Sequence, residues 1–288
     1  MMEMKKPTLI TSWYEIRAEA VQARKQNLKV GLVPTMGALH EGHLSLVRTA
    51  RDYCDVTIAT IFVNPTQFGP HEDLNKYPRT LDDDLARLGA LEVDFAYAPS
   101  KEELYPEGFS TFVEPPSVAK RFEGECRPGH FRGVTTIVLK LLNIIPAHIA
   151  FFGQKDYQQC RVIQSMAQDL NVPTLIQLCP TVRDPDGLAL SSRNQYLSTA
   201  ERTQALSISK SLDDAEGEVS RGQTDMRRIV DRMRNTLEAA GIEKIDYVDI
   251  ADAQTLEPVA QLQNDAVALI AAHVGITRLI DNRILSHR

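Results

Sequence analysis

No stretch of this sequence approaches the roughly 18–20 consecutive apolar residues that a membrane-crossing helix needs. The opening Met1-Met2-Glu3-Met4-Lys5-Lys6-Pro7 leads into a mixed segment without a secretory apolar core, so the expectation is a cytoplasmic protein with no membrane partner. Cysteines are few: Cys54, Cys126, Cys160 and Cys179 lie far apart and form no C-x-x-C pair. That spacing argues against a zinc knuckle or a redox dithiol and for reduced thiols. Positive charge is also short, with 32 basic against 38 acidic side chains and a formal charge of -6. A nucleic-acid partner needs a basic face, and none is expected here. An anionic ligand would need its positive partners gathered into one pocket. The G-x-G-x-x-G fingerprint and the Walker G-K-[ST] ending are absent too.

What is present is a chain of 288 residues, 43% hydrophobic and 24% charged, which excludes wholesale disorder and suits two domains or one α/β unit with an appendage. Apolar runs at 30–33, 56–63, 93–98, 149–152 and 175–178 read as buried strands. Helical patterns at 42–53, 81–91, 133–145 and 155–170 separate them. Strands apolar on both faces and alternating with helices predict a doubly wound, Rossmann-like parallel sheet, with ligands at the carboxyl ends of its strands. The composition changes after Arg183-Asp184-Pro185-Asp186-Gly187. Two amphipathic helices (199–220 and 224–240) and three strands (245–250, 267–272, 277–282) then predict a smaller α+β domain. The expected division is 1–184 and 185–288.

The most informative segment runs from Gly31 to His43, GLVPTMGALHEGH. It follows a predicted strand and opens a predicted helix, where backbone N–H groups and the helix dipole attract phosphate. His40 and His43, three residues apart, would face the same side of that entrance and can grip oxygens of one phosphate chain. A helix N-terminus depresses an imidazole pKa and a bound polyphosphate raises it, so their proton load should rise when nucleotide binds. Two other readings stay open: a metal pair, although H-x-x-H lacks the H-E-x-x-H spacing, and two solvent-facing residues at a helix start. Lys155 is placed by pattern at the start of a helix directly after a strand. The dipole disfavours a lysine there, which points to a role at the same strand-end crevice.

The segment resembles the HxGH signature of the nucleotidyltransferase superfamily that includes class I aminoacyl-tRNA synthetases. More narrowly, Pro34–His43 resembles the pantothenate synthetase (pantoate–β-alanine ligase) family. Four later blocks agree in order and spacing: FVNPTQF (62–68), YPRT with Asp82-Asp83-Asp84 (77–84), FFGQKDYQQ (151–159) and SSRN (191–194). The similarity runs over essentially the whole chain. It implies an enzyme that activates (R)-pantoate with ATP and Mg²⁺ to pantoyl-adenylate and pyrophosphate. The amine of β-alanine then attacks to give pantothenate and AMP. It also implies a homodimer.

Site residues follow from the same resemblance. Met36, Gly37, Ala38, Leu39, His40, Glu41, Gly42 and His43 should hold ATP, with His43 as proton donor. Gly153, Gln154, Lys155 and Asp156 should lie at the nucleotide, Lys155 near the phosphates. Val182 should contact the nucleotide through its backbone, and Leu190, Ser191, Ser192 and Arg193 form a second nucleotide signature. Gln67 and Gln159 should bind pantoate, with Gln67 also serving β-alanine, and Asp83 is favoured for Mg²⁺. Gln154 and Leu190 stand where the family more usually has Glu and Met. Pro34 and Met36 can supply an apolar wall, and Asn64, Glu123 and Arg127 are weaker candidates for the same pocket. The stretch Arg127–Arg132 reads equally as substrate-lining or as a charged loop. No residue is singled out as base for the amidation. The smaller domain is expected to close over bound nucleotide and exclude water. Rival readings are a nucleotidyltransferase that keeps the nucleotidyl group in its product, as cytidylyltransferases do, and a non-catalytic nucleotide or metal sensor.

Overall fold

The computed structural model describes residues 6–70, 72, 74 and 77–286. It divides into two compact units, Met1–Gln154 with Gln159–Pro180, and Lys155–Gln158 with Thr181–Arg288.

The first unit is a six-stranded sheet in the order β1-β4-β3-β2-β5-β6. Its strands are β1 (Thr8–Ile10), β2 (Val30–Thr35), β3 (Val56–Ile61), β4 (Phe95–Tyr97), β5 (Ile149–Gly153) and β6 (Leu175–Cys179). All five pairings are parallel. Helices α1 (Trp13–Lys25), α2 (Glu41–Tyr53), α3 (Leu81–Ala90), α4 (Lys101–Leu104), α5 (Glu123–Cys126), α6 (His130–Ile144) and α7 (Tyr157–Asp169) connect them. The period of two along each strand sends side chains alternately into two cores. Val30, Leu32, Ile58, Ala150 and Phe152 meet α1, α6 and α7, which contribute Ile16, Val134 and Ile163. Val33, Ala59, Ile149 and Phe151 meet α2 and α3, which contribute Val47 and Leu88. Strands buried on both faces need to be apolar throughout, which is why they were legible as runs. From β2 the chain turns to β3 on one side, and β5 joins β2 on the other. The carboxyl ends of β2 and β5 therefore flank the switch point where such sheets bind ligands.

The second unit packs α8 (Thr199–Ser220) and α9 (Met226–Ala239) on an antiparallel sheet, β7 (Ile245–Asp252), β8 (Ala266–Val274) and β9 (Thr277–Leu285), in sequence order. Alternate residues of β8, Ala268, Ile270 and Ala272, join Ile208 and Leu212 of α8 and Ile229 and Met233 of α9 in one core. Ser198 and Glu201 close a capping box at the start of α8, and Asp225 caps α9.

The α/β reading with a smaller C-terminal α+β part holds. Three local expectations need correction. The reading omits β1 and α1, because β1 has three residues and α1 buries only Ile16, Ala20 and Ala23, too thin a stripe to stand out. α6 starts at His130, three residues before the predicted Gly133. Lys155 does not open an α-helix: residues Gln154–Asp156 form a 3₁₀ turn, and α7 begins at Tyr157.

Candidate active site

The HxGH turn leaves the carboxyl end of β2 and enters α2 through two left-handed residues, Gly37 (φ 82) and Ala38 (φ 50). A Cβ at position 37 would lie 3.0 Å from Asp84 Oδ2, so a side chain there would be crowded as well as strained by the positive φ. The turn is closed by its own hydrogen bonds. Gly37 N donates to Thr35 Oγ1 (3.2 Å). Ala38 N and Leu39 N donate to the Asp84 carboxylate (3.0 and 2.8 Å). His40 is the N-cap of α2, its Nδ1 accepting from Gly42 N (3.2 Å), while His43 Nδ1 accepts from His40 N (3.3 Å). The two histidines thus form a capping box in which imidazoles replace the usual Ser and Glu. An Nδ1 that accepts an N–H carries no proton, so each neutral ring holds its proton on Nε2. The rings lie 4.1 Å apart, tilted by 35°. Expectation and structure differ on one point. Several amides of a strand–turn–helix segment that would attract phosphate are bonded within the turn or to Asp84, which makes the imidazole Nε2–H groups its distinctive donors.

Gln67 follows β3 in the 3₁₀ turn Pro65–Gln67, and its Nε2 reaches Met36 Sδ at 3.0 Å. The ends of β2 and β3 are therefore joined at two residues expected in the ligand pocket. Asn64, buried, donates to Gln67 Oε1 and Gly133 O (both 3.2 Å) and accepts from Tyr105 Oη (2.8 Å), so it builds the turn from within. Gly133 of α6 lies so close that a Cβ would fall 2.3 Å from Thr66 O. Beneath the turn, His130 Nδ1 donates to Gln67 O (2.8 Å) and Arg127 Nη1 lies 3.2 Å from His130 Nε2. Arg127 also forks onto Glu72 (2.7 and 2.6 Å). Burial, with the Arg127 charge next, lowers the His130 pKa to about 4. Burial would raise Glu72, but the Arg127 hydrogen bonds and charge outweigh it and hold the carboxyl below its ordinary range. Glu123 is buried 3.7 Å from Arg127. Sequence reasoning held His130 only as part of the run Arg127–Arg132 and gave it no role of its own.

At the end of β5 lie Gly153 and Gln154, both half-buried, and Gln159 is half-buried in the first turn of α7. Lys155, Asp156, Val182 and Leu190–Arg193 belong to the second unit. There a short hairpin turns at Asp184-Pro185-Asp186-Gly187 and pairs Leu190 N with Val182 O (3.0 Å). It brings Val182 beside Leu190 and leads into the 3₁₀ turn Ser192–Tyr196, capped by Ser191, whose Oγ accepts from Arg193 N (3.3 Å). Lys155 and Ser191 line one small cavity of this unit together with Asn194 and Asp281. The Lys155 carbonyl is fixed by Asn282 Nδ2 at 2.8 Å, and Asp156 is half-buried beside it.

The three consecutive aspartates are not equivalent. Asp84 is 1% exposed and fully used by Ala38, Leu39 and Thr80. Asp82 and Asp83 are exposed on the first turn of α3, where acidic residues complement the helix dipole. Among the described residues, no three His, Cys, Asp or Glu side chains are grouped to hold a metal by themselves. Magnesium, however, takes one or two carboxylates plus substrate phosphates, and an exposed carboxylate such as that of Asp83 suits that donor set.

A doubly wound sheet with an HxGH capping turn at its switch point defines a member of the HxGH nucleotidyltransferase superfamily. The pantoate-beta-alanine ligase family model matches residues 8–284. The chain is 50% identical to the pantothenate synthetase of Thermotoga petrophila over 277 residues, 96% of this chain and 99% of that one. It is 48% identical to pantothenate synthetase 1 of Bradyrhizobium diazoefficiens, over 96% and 98% of the two chains. Its fold superposes on the crystal structure of pantothenate synthetase from Thermus thermophilus with TM-score 0.92, at 39% identity over 97% and 100% of the two chains. The pantoate–β-alanine ligase of Francisella tularensis, solved with a β,γ-ATP compound and β-alanine, gives TM-score 0.78 at 36% identity over 96% and 97%. The chain belongs to the pantoate–β-alanine ligase family. It is an ATP-dependent ligase that joins pantoate to β-alanine through an adenylate, giving pantothenate.

Proposed function

We propose that adenylation of pantoate depends on the paired imidazoles of the HxGH turn. The supporting observation is the capping box, in which both Nδ1 atoms accept backbone N–H groups and both protons sit on Nε2. His40 and His43 then donate to phosphate oxygens, and His43 stabilises the charge that builds as pyrophosphate departs. Gly153, Gln154, Lys155 and Asp156 serve the nucleotide, Lys155 as the cation for the phosphates, while Val182 and Leu190–Arg193 complete its binding. Gln67 and Gln159 take the pantoate hydroxyls and carboxylate. Gln67 is suited to this because its amide N–H rests on a thioether, a weak acceptor that a substrate oxygen readily replaces. Gln67 also faces β-alanine. Asp83 holds Mg²⁺, which when bound neutralises phosphate charge. The C-terminal α+β region acts as a lid over the nucleotide, and the enzyme is a cytoplasmic homodimer. No helix among the described residues is long and apolar enough to cross a membrane.

The test is pantoate-dependent exchange of pyrophosphate into ATP. A single donor to developing negative charge is worth roughly 3–4 kcal/mol, so His43→Ala should slow exchange on the order of a hundredfold or more. Oxygen-18 in the pantoate carboxyl should reach AMP during wild-type turnover. Unimpaired exchange in His43→Ala would remove that residue from the mechanism.

A further inference from the structure

Ala38 N and Leu39 N converge on one carboxylate, because the left-handed residues Gly37 and Ala38 turn successive amides toward the same point. Such a backbone concavity is an anion-binding device, and in phosphate-binding loops the anion comes from the ligand. Here the anion is internal. Asp84 fills the concavity, is 1% exposed, and is steadied by Thr80 Oγ1 at 3.2 Å. It lies on the same face of α3 as the buried Leu85 and Leu88, so the hydrophobic packing of that helix delivers the carboxylate to the turn.

We propose that Asp84 is a positioning residue for the ligation. Its carboxylate occupies the turn's own anion hole, holds Ala38 in a left-handed conformation that a residue with a Cβ otherwise disfavours, and so aims the His40 and His43 rings. The assignment rests on the reading of those rings as phosphate donors. It separates the acidic triplet into Asp84, which shapes the turn, and Asp83, which serves the metal. Without an anion at that point the two amides face each other unpaired, Ala38 relaxes from positive φ, and the capping box loses its lead-in. An ångström-scale misplacement of groups that act on a transition state costs on the order of a hundredfold in rate.

The experiment compares Asp84→Ala, Asp84→Asn and His43→Ala in pyrophosphate exchange, with saturating substrates and thermal unfolding recorded for each. Asp84→Asn keeps the shape and one acceptor but sets an amide N–H against Ala38 N–H, so it remains informative should Asp84→Ala fail to fold. In Asp84→Asn, kcat should fall on the order of a hundredfold, with KM for ATP changing much less. Sodium formate, set against sodium chloride at equal ionic strength, should restore part of the Asp84→Ala rate by re-entering the vacated hole. Extra Mg²⁺ should not. A wild-type kcat in Asp84→Asn overturns the proposal, as does a deficit cured by Mg²⁺ alone, which would make Asp84 a metal ligand. An Asp84→Ala deficit indifferent to formate also overturns it. Loss of exchange in His43→Ala beside normal exchange in Asp84→Asn leaves the imidazole reading standing and removes only the positioning role. Normal exchange in His43→Ala removes the reading beneath it.

Discussion

His130 shows how one buried ring couples acidity to folding. It donates through Nδ1 to Gln67 O and meets Arg127 through Nε2, both contacts made as the neutral tautomer. Its folded pKa of about 4 lies below the 6.5 of an unperturbed histidine. Between those values the unfolded chain takes up a proton that the folded one refuses, so stability is complete above pH 6.5 and is lost as pH falls toward 4. The shift amounts to about 3 kcal/mol. Urea unfolding across that window should therefore show a steeper loss for wild type than for His130→Asn, which keeps an N–H for Gln67 but cannot titrate. Parallel pH profiles for the two proteins would refute this. Of the residues at this site, His40 and His43 were legible because chemistry and spacing coincide in a short motif. His130 was not, since its partners come from residues 67, 72 and 127. Asp84 left a usable trace: it interrupts the apolar face of Leu81, Leu85 and Leu88, where a lone carboxylate needs buried donors.

At the scale of elements, the turn that carries Gln67 after β3 depends on the absence of one side chain. Gly133→Ala would place a methyl 2.3 Å from Thr66 O and 2.6 Å from Gln67 N, so either α6 or the turn must shift. Overpacking of this kind costs about 1–3 kcal/mol. Calorimetry should show that loss, and KM for pantoate should rise because Gln67 moves off its position beside Met36. An unchanged KM would mean that the Gln67 amide does not bind pantoate. The helix of 199–220 matches the bounds its amphipathic pattern predicts, and Ser198 and Glu201 cap its start. The 3₁₀ turn at Gln154–Asp156 was not read, since three residues between a strand and a helix carry no periodicity of their own. Parallel strands buried on both sides announce themselves as apolar runs, whereas the three-residue β1, with Thr8 and Leu9 exposed, does not.

For the molecule as a whole, the alternation of elements made the doubly wound architecture readable, while the pairing of distant charged groups was invisible in one dimension. Arg183 and Asp281 form such a pair, a bidentate contact at 2.6 and 2.9 Å that ties the hairpin of Val182–Leu190 to β9. The Asp281 side chain is 3% exposed, and Asp281→Ala would leave Arg183 only its bonds to Gly187 O and Asn282 O, so the protein should lose about 1.5–3 kcal/mol of stability. Chemical denaturation measures this directly, and a loss below about 1 kcal/mol would place the pair among ordinary surface contacts. The assignment of Lys155–Gln158 to the second unit has a practical bearing on chimeras and split proteins. Asn282 bonds the Lys155 carbonyl and Tyr157 Oη donates to Ala253 O, so a fragment beginning at Thr181 would lack both partners. Exchange of C-terminal parts between homologues should therefore transplant this tetrapeptide with them, even though twenty-two residues of the other unit (159–180) intervene along the chain.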